Sequence, residues 1–200
     1  MTALDERQQP ASSPDPADAA ELRVGTTVWL TGLPSAGKTT LATALAERLR
    51  ADGVERVELL DGDEVREFLS KGLGFTREDR DTNVLRIGWV AATLARHGVV
   101  VLASVISPFA ATRDEVRALH GKKDAGFLEV HVATPVEVCS ERDVKGLYAK
   151  QRSGELTGLT GVDAPYEPPS DPEAVVRTHE QTRDESVAQL HALLLERGVL

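Results

Sequence analysis

From about Leu22 onward the apolar positions follow two rhythms. Short β-branched runs at 27–31, 57–60, 99–104, 127–132 and 174–177 have the length and composition of buried strands. Between them Leu41, Ala44, Leu45 and Leu49 recur at helical spacing and predict a helix over 38–51. Val84, Ile87, Ala91 and Leu94 do the same for 82–97, with Gly98 as its stop. Further helices are expected over 111–120, 135–142 and 183–197. Strands alternating with helices predict an α/β domain: a parallel sheet with helices on both faces. Gly88, in the middle of a helix, costs about 1 kcal/mol against Ala and predicts close packing there. Residues 153–172, rich in Gly, Pro and Thr, form a loop long enough to expect a functional role.

The first stretch has neither rhythm. Residues 1–21 carry Pro10, Pro14 and Pro16 among Ala, Ser and Asp, and read as a disordered acidic tail ahead of one domain over 22–200. This changes how the charge is read. The 200-residue chain has a formal net charge of -9. Asp5, Glu6, Asp15, Asp18 and Glu21 stand against Arg7 alone in the tail, so almost half of the excess lies outside the predicted fold. An acidic chain excludes broad binding to nucleic acid or to an anionic membrane. No apolar run approaches the ~18 residues of a membrane span. The single cysteine, Cys139, forms no internal disulfide, and a cytoplasmic location is expected.

Candidate chemistry begins where the first strand meets the first helix. Gly32-Leu33-Pro34-Ser35-Ala36-Gly37-Lys38-Thr39, continued by Thr40, has the G-x-x-x-x-G-K-[ST] spacing in the strand-to-helix context that a phosphate-binding loop needs. The glycines let successive N–H groups turn inward at the N-terminal end of a helix, where anions are favoured. Lys38 can then reach the β and γ phosphates of ATP, and the Thr39 hydroxyl can hold Mg²⁺. No Asn-Lys-x-Asp element for reading guanine follows. Instead the second strand ends in Asp61-Gly-Asp63-Glu-Val-Arg66, on the sheet edge where open α/β folds bind ligands. One of the two Asp residues could serve Mg²⁺ or accept a proton from an attacking hydroxyl, and Arg66 could clamp a second anion. A polar turn with a helix cap at Asp63 is the plainer alternative. Arg80 and Asn83 share a face if their helix starts early enough, and Phe75 sits in a Gly-flanked, charged stretch where stacking on a base suits it better than a core role.

Taken together, GLPSAGKTT, DGDEVR, GFTREDRDTN, ISP at 106–108, ERDVKGLY at 141–148 and TGVDAPYEPP resemble the adenylylsulfate kinase family, in unbroken order over roughly 22–198. The resemblance implies a three-layer P-loop kinase fold. It also implies transfer of the γ-phosphoryl of MgATP to the 3′-hydroxyl of adenosine 5′-phosphosulfate, and a homodimer acting only on small molecules. By matching motif, Lys38, Asp61, Asp63 and Lys145 would serve catalysis, with Thr39 and Asp61 at the metal. Asp63, Arg66, Arg80 and Asn83 would hold the acceptor, Phe75 would stack on its adenine, and Ile106 and Ser107 would line its pocket. Ser107 is also the family's phosphoserine candidate, and Lys145 would ride on a lid near 143–172. The chain departs from the family where a Gly-Phe-Thr-Gly aromatic is replaced in Gly158-Leu159-Thr160-Gly161, and at Thr82, Leu85, Trp89 and Thr157. Leu159 can pack on a base without stacking. A related kinase acting on another nucleotide-linked acceptor, such as a nucleoside diphosphoramidate, therefore stays open as the alternative.

Overall fold

A computed structural model describes residues 25–200. The expected tail at 1–21 lies outside the described residues.

Five strands form one parallel sheet in the order β2-β3-β1-β4-β5: β1 (Thr26–Thr31), β2 (Val57–Asp61), β3 (Val100–Ser104), β4 (Gly126–Val132) and β5 (Ala174–Val176). Every residue of β1 and β3 is buried, as central parallel strands covered on both faces must be. The period of two sorts their side chains. Val28, Leu30, Val100 and Leu102 face a core built with Leu41, Leu45 and Leu49 of α1 (Lys38–Ala51) and Leu190 and Leu194 of α7 (Arg183–Glu196). Trp29 and Ala103 point the other way, to Val84 and Ile87 of α3 (Arg77–Arg96) and Val116 of α4 (Ala110–Gly121). The three-layer α/β architecture expected from the alternation is the one observed.

The differences lie at helix ends and in short helices. α3 begins at Arg77, five residues earlier than the apolar period shows, because the Thr76 side chain accepts from the Asp79 N–H and caps it. Two one-to-two-turn helices, α2 (Gly62–Glu67) and α6 (Leu147–Arg152), are too short for periodicity to reveal. Asp61, rather than Asp63, caps α2: its side chain accepts from the Asp63 N–H. Between α4 and α6 runs α5 (Val136–Arg142), entered through Pro135. The expected loop at 153–172 carries no helix or strand, only an isolated bridge between Thr160 and Ala164.

Gly88 has the reason its cost requires. A methyl group there would meet Val116 Cγ2 and Cγ1 at 2.7 and 2.8 Å, so the glycine lets α3 lie against α4.

Candidate active site

All the strands run the same way, so the loops after β1, β2 and β3 gather at one edge of the sheet. There they enclose, with the 142–160 segment, a cleft of about 910 Å³. Both ends of the sequence-predicted site meet in it.

At one end is the loop between β1 and α1. Gly37 stands at φ 100°, a left-handed conformation that suits glycine, and hands the chain to α1 as its N-cap. Lys38 is buried, and its Nζ donates to the Gly32 and Leu33 carbonyls at 2.9 and 2.8 Å, so the ammonium lies folded along the loop. Burial pushes its pKa down to about 8. The Thr39 hydroxyl donates to Asp61 Oδ2 at 2.7 Å and lies 3.2 Å from the Ser104 hydroxyl. Those are hard oxygen donors at the phosphate end of the cleft, the chemistry that suits Mg²⁺ completed by substrate phosphates and water. Among the described residues no cluster of three or more His, Cys, Asp or Glu competes for a metal.

At the other end Phe75 is exposed, with the Arg66 guanidinium 4.6 Å and the Arg80 guanidinium 5.7 Å from its ring centroid. Arg80 and Asn83 do share one face of α3, because the helix starts at Arg77. Arg80 is already engaged: it donates to the Phe75 carbonyl at 2.8 Å, to Thr160 Oγ1 at 2.6 Å and to the Gly158 carbonyl at 2.7 Å. It therefore holds the 158–160 segment over the cleft. Burial, with Arg66 adding to it, lowers the Arg80 pKa; the same desolvation lowers that of Arg66. Asn83 is buried, lines the cleft, and its Oδ1 has no hydrogen-bond partner. A buried acceptor left open beside a cleft is a place for a ligand donor.

Asp63 and Lys145 meet between the two ends as a direct ion pair, although 82 residues apart. Lys145 arrives there because Asp143, at φ 28°, turns the chain and accepts from the Tyr148 and Ala149 N–H groups at 3.0 and 2.9 Å. The Tyr148 hydroxyl then donates to the Pro34 carbonyl at 3.0 Å and ties α6 to the phosphate loop.

Ile106 and Ser107 also line the cleft. Ser107 is 1% exposed, and its hydroxyl accepts from Trp29 Nε1 at 3.0 Å and donates to the Val105 carbonyl at 3.4 Å. That is the setting of a wall residue more than of a nucleophile. Leu159 is 5% exposed; it lines the cleft and at the same time packs in the α1-side core.

Motif reading missed Arg142 and Thr178, which also line the cleft. Arg142 donates to Thr178 Oγ1 and to the Thr178 carbonyl, both at 2.8 Å, and the Thr178 hydroxyl reaches the Ala36 carbonyl at 2.9 Å. The only sequence signal was the place of Arg142 inside ERDVKGLY; Thr178, after β5, carried none.

Comparison with known proteins agrees over most of the chain. The family model described as adenylylsulphate kinase matches residues 24–177. A Rippkaea orientalis protein named adenylyl-sulfate kinase is 54% identical over 176 residues, 88% of this chain and 94% of its own. The solved structure of Mycobacterium tuberculosis APS kinase CysC in complex with AMPPNP and APS superposes with a TM-score of 0.82 at 40% identity, covering 85% of this chain and 97% of that one. A hexameric APS kinase from Thiobacillus denitrificans superposes with a TM-score of 0.67 at 38% identity, covering 90% of this chain and 30% of that one.

Proposed function

Because the chain belongs to the adenylylsulphate kinase family, we propose that this cleft is its kinase site, with ATP on the phosphate loop and adenosine 5′-phosphosulfate at the Phe75 end. The protein phosphorylates the 3′-hydroxyl of adenosine 5′-phosphosulfate, giving 3′-phosphoadenosine 5′-phosphosulfate and ADP. The observation that carries the site assignment is a single cleft with a phosphate loop at one end and an aromatic ring flanked by two guanidinium groups at the other. Asp63 and Lys145 stand between them, with Asp61 beside Thr39 at the phosphate end.

In this reading residues 32–40 wrap the triphosphate, and Lys38 swings from its loop carbonyls to the β and γ phosphates. Thr39 and Asp61 would hold Mg²⁺, which supplies neutralisation of phosphate charge when bound. Arg66, Arg80 and the open Asn83 acceptor receive the phosphosulfate and ribose end, and Phe75 stacks on the adenine. Asp63 parts from Lys145 and takes the 3′-hydroxyl proton as the O3′–P bond forms and the bond to the ADP oxygen breaks. Lys145 stays on the transferring group. Ile106, Ser107 and Leu159 shape the pocket wall, and transfer is direct, because the Ser107 hydroxyl is buried and already engaged.

The segment 143–172 acts as the lid that keeps water out during transfer. The proposed location is the cytoplasm, where ATP is at hand; among the described residues no helix is long and apolar enough to cross a membrane. Exposed Phe68, Leu69 and Trp89 accord with self-association as a homodimer.

The test is an acceptor screen with purified protein, ATP and Mg²⁺. Adenylylsulfate is expected to give ADP and the 3′-phosphorylated product in equal amounts. A higher kcat/KM for cytidine diphosphoramidate would overturn the acceptor assignment.

A further inference from the structure

The wall at Ile106–Ser107–Pro108 is fixed from behind in an unusual way. Its three consecutive backbone carbonyls are each claimed by a different part of the fold. Thr31 Oγ1, at the end of β1, donates to the Ile106 carbonyl at 2.7 Å. Arg113, on α4, donates through Nη1 to the Ser107 carbonyl at 2.8 Å. The Glu167 N–H, from the returning end of the 153–172 segment, donates to the Pro108 carbonyl at 2.8 Å. Ser107 sits at φ 40°, a conformation that a non-glycine residue keeps only when its surroundings impose it.

Arg113 is the member that joins these parts. Its side chain is 2% exposed, and its Nε pairs with Glu129 of β4 at 2.6 Å. Its Nη2 donates to the Glu167 carbonyl at 2.8 Å while Nη1 holds Ser107. Glu167 returns the link, because its Oε2 accepts from the Ala110 N–H at the start of α4, at 2.7 Å. One planar guanidinium thus bonds the sheet, the cleft wall and the far end of the segment whose near end, at Gly158 and Thr160, is held by Arg80. A lysine could keep the charge, but its three donors sit on one nitrogen and cannot span partners that here take Nε, Nη1 and Nη2 separately.

We propose that Arg113 is a positioning residue for acceptor recognition, setting the Ile106–Ser107 wall and locking the 158–167 segment to it so that the two sides of the acceptor pocket move as one. This rests on the reading that the wall faces the acceptor. Arg113 touches neither phosphate loop nor cleft, so its effect falls on the acceptor and spares ATP.

The test compares Arg113→Lys with Arg117→Lys. Arg117 shares the same acid cluster, pairing with Glu173 at 2.7 Å and Glu129 at 3.4 Å, yet reaches none of the three wall carbonyls. Arg113→Lys is expected to raise the KM for adenylylsulfate about tenfold or more, while the KM for ATP stays within about twofold and Arg117→Lys changes neither. An unchanged acceptor KM, an equal rise for ATP, or the same rise in Arg117→Lys would overturn the proposal. Hydrogen exchange without any substrate separates it from the assignment of the reaction. Amides of 105–109 and of 158–167 should exchange faster together in Arg113→Lys alone, whatever the acceptor, and unchanged exchange refutes the link. If Arg113→Lys does not fold, Thr31→Val removes the donor on the Ile106 carbonyl while keeping the shape, and the same kinetic split is expected; its absence overturns the proposal.

Discussion

On the proposed role of Lys38 at the triphosphate, its buried ammonium should make ATP binding depend on pH in a range where ordinary lysines do not titrate. Desolvation brings its pKa to about 8, with Lys145 adding to the effect and Asp61 working against it. The Lys38 Nζ donates only to the Gly32 and Leu33 carbonyls, so removing a proton leaves two hydrogen bonds that a neutral amine can still make. A triphosphate, in contrast, requires the charged form. With a pKa of about 8, roughly nine-tenths of the free protein carries the proton at pH 7 and about one-tenth at pH 9. Affinity for ATP should therefore fall about tenfold over those two units, about 1.4 kcal/mol. Above pH 8, binding should take up close to one proton. Isothermal titration calorimetry in two buffers of different ionisation enthalpy measures both quantities. Lys38→Arg, whose charge persists throughout, should lose turnover and bind with a flat profile over the same range. Affinity that stays level to pH 10 in the unaltered protein, with no buffer-dependent heat, would refute the argument.

Two further predictions concern stability. Gly88→Ala should destabilise by up to about 2 kcal/mol, since strain against Val116 exceeds the gain in helix propensity, and Val116→Ala alone should cost about 2 kcal/mol. In the double variant the new methyl occupies the vacated space, so urea unfolding should show a coupling of about 1 kcal/mol or more; simple additivity would place the helices farther apart. His120 is fully buried, with Nδ1 2.8 Å from the Val116 carbonyl and Nε2 2.8 Å from Thr27 Oγ1, an arrangement that suits the neutral ring. Burial lowers its pKa, so below the unfolded value of about 6.5 the unfolded chain binds a proton that the folded one refuses. Stability is thus complete above that pH and falls as pH drops through 6.5 towards the folded pKa. His120→Gln should flatten the fall between pH 7 and 5, and an unaltered slope would assign it to other groups.

The parts of the site legible in the sequence were those made by adjacent residues. Gly32 to Thr39 is one continuous loop, and the run from Asp61 to Arg66 follows its strand directly, so spacing alone conveyed their chemistry. The parallel sheet was equally plain from the alternation of strand and helix periods. Contacts across the chain were not legible. Arg142 meets Thr178 across 36 residues, and nothing in either neighbourhood marks the pairing. Short helices escaped for a related reason: α2 and α6 complete too few turns to display a period, and the polar residues whose carboxylates accept their first N–H groups, Asp61 and Asp143, resemble loop residues. Leu159 reads as a lost stacking residue in sequence. In the fold it is mainly a core residue with one side on the cleft, its neighbours being set by the way 158–161 comes back over Leu33.

The ion pair between Lys145 and Asp63 has a consequence for how substrates arrive. A cleft with free cations at its mouth would project a positive field and draw anions from a distance. Here Lys145 is matched by a carboxylate before any ligand is present, whereas Arg66, Arg80 and Arg142 line the cleft with their guanidinium groups bonded only to carbonyls and hydroxyls, and the whole chain carries a net charge of -9. An anionic nucleotide would therefore meet an unfavourable net charge from the chain as a whole and a favourable local one from these guanidinium groups near the cleft. Added salt screens both contributions within about 10 Å at 0.1 M, so the encounter should depend on ionic strength less than it would for a cleft whose cations were all free.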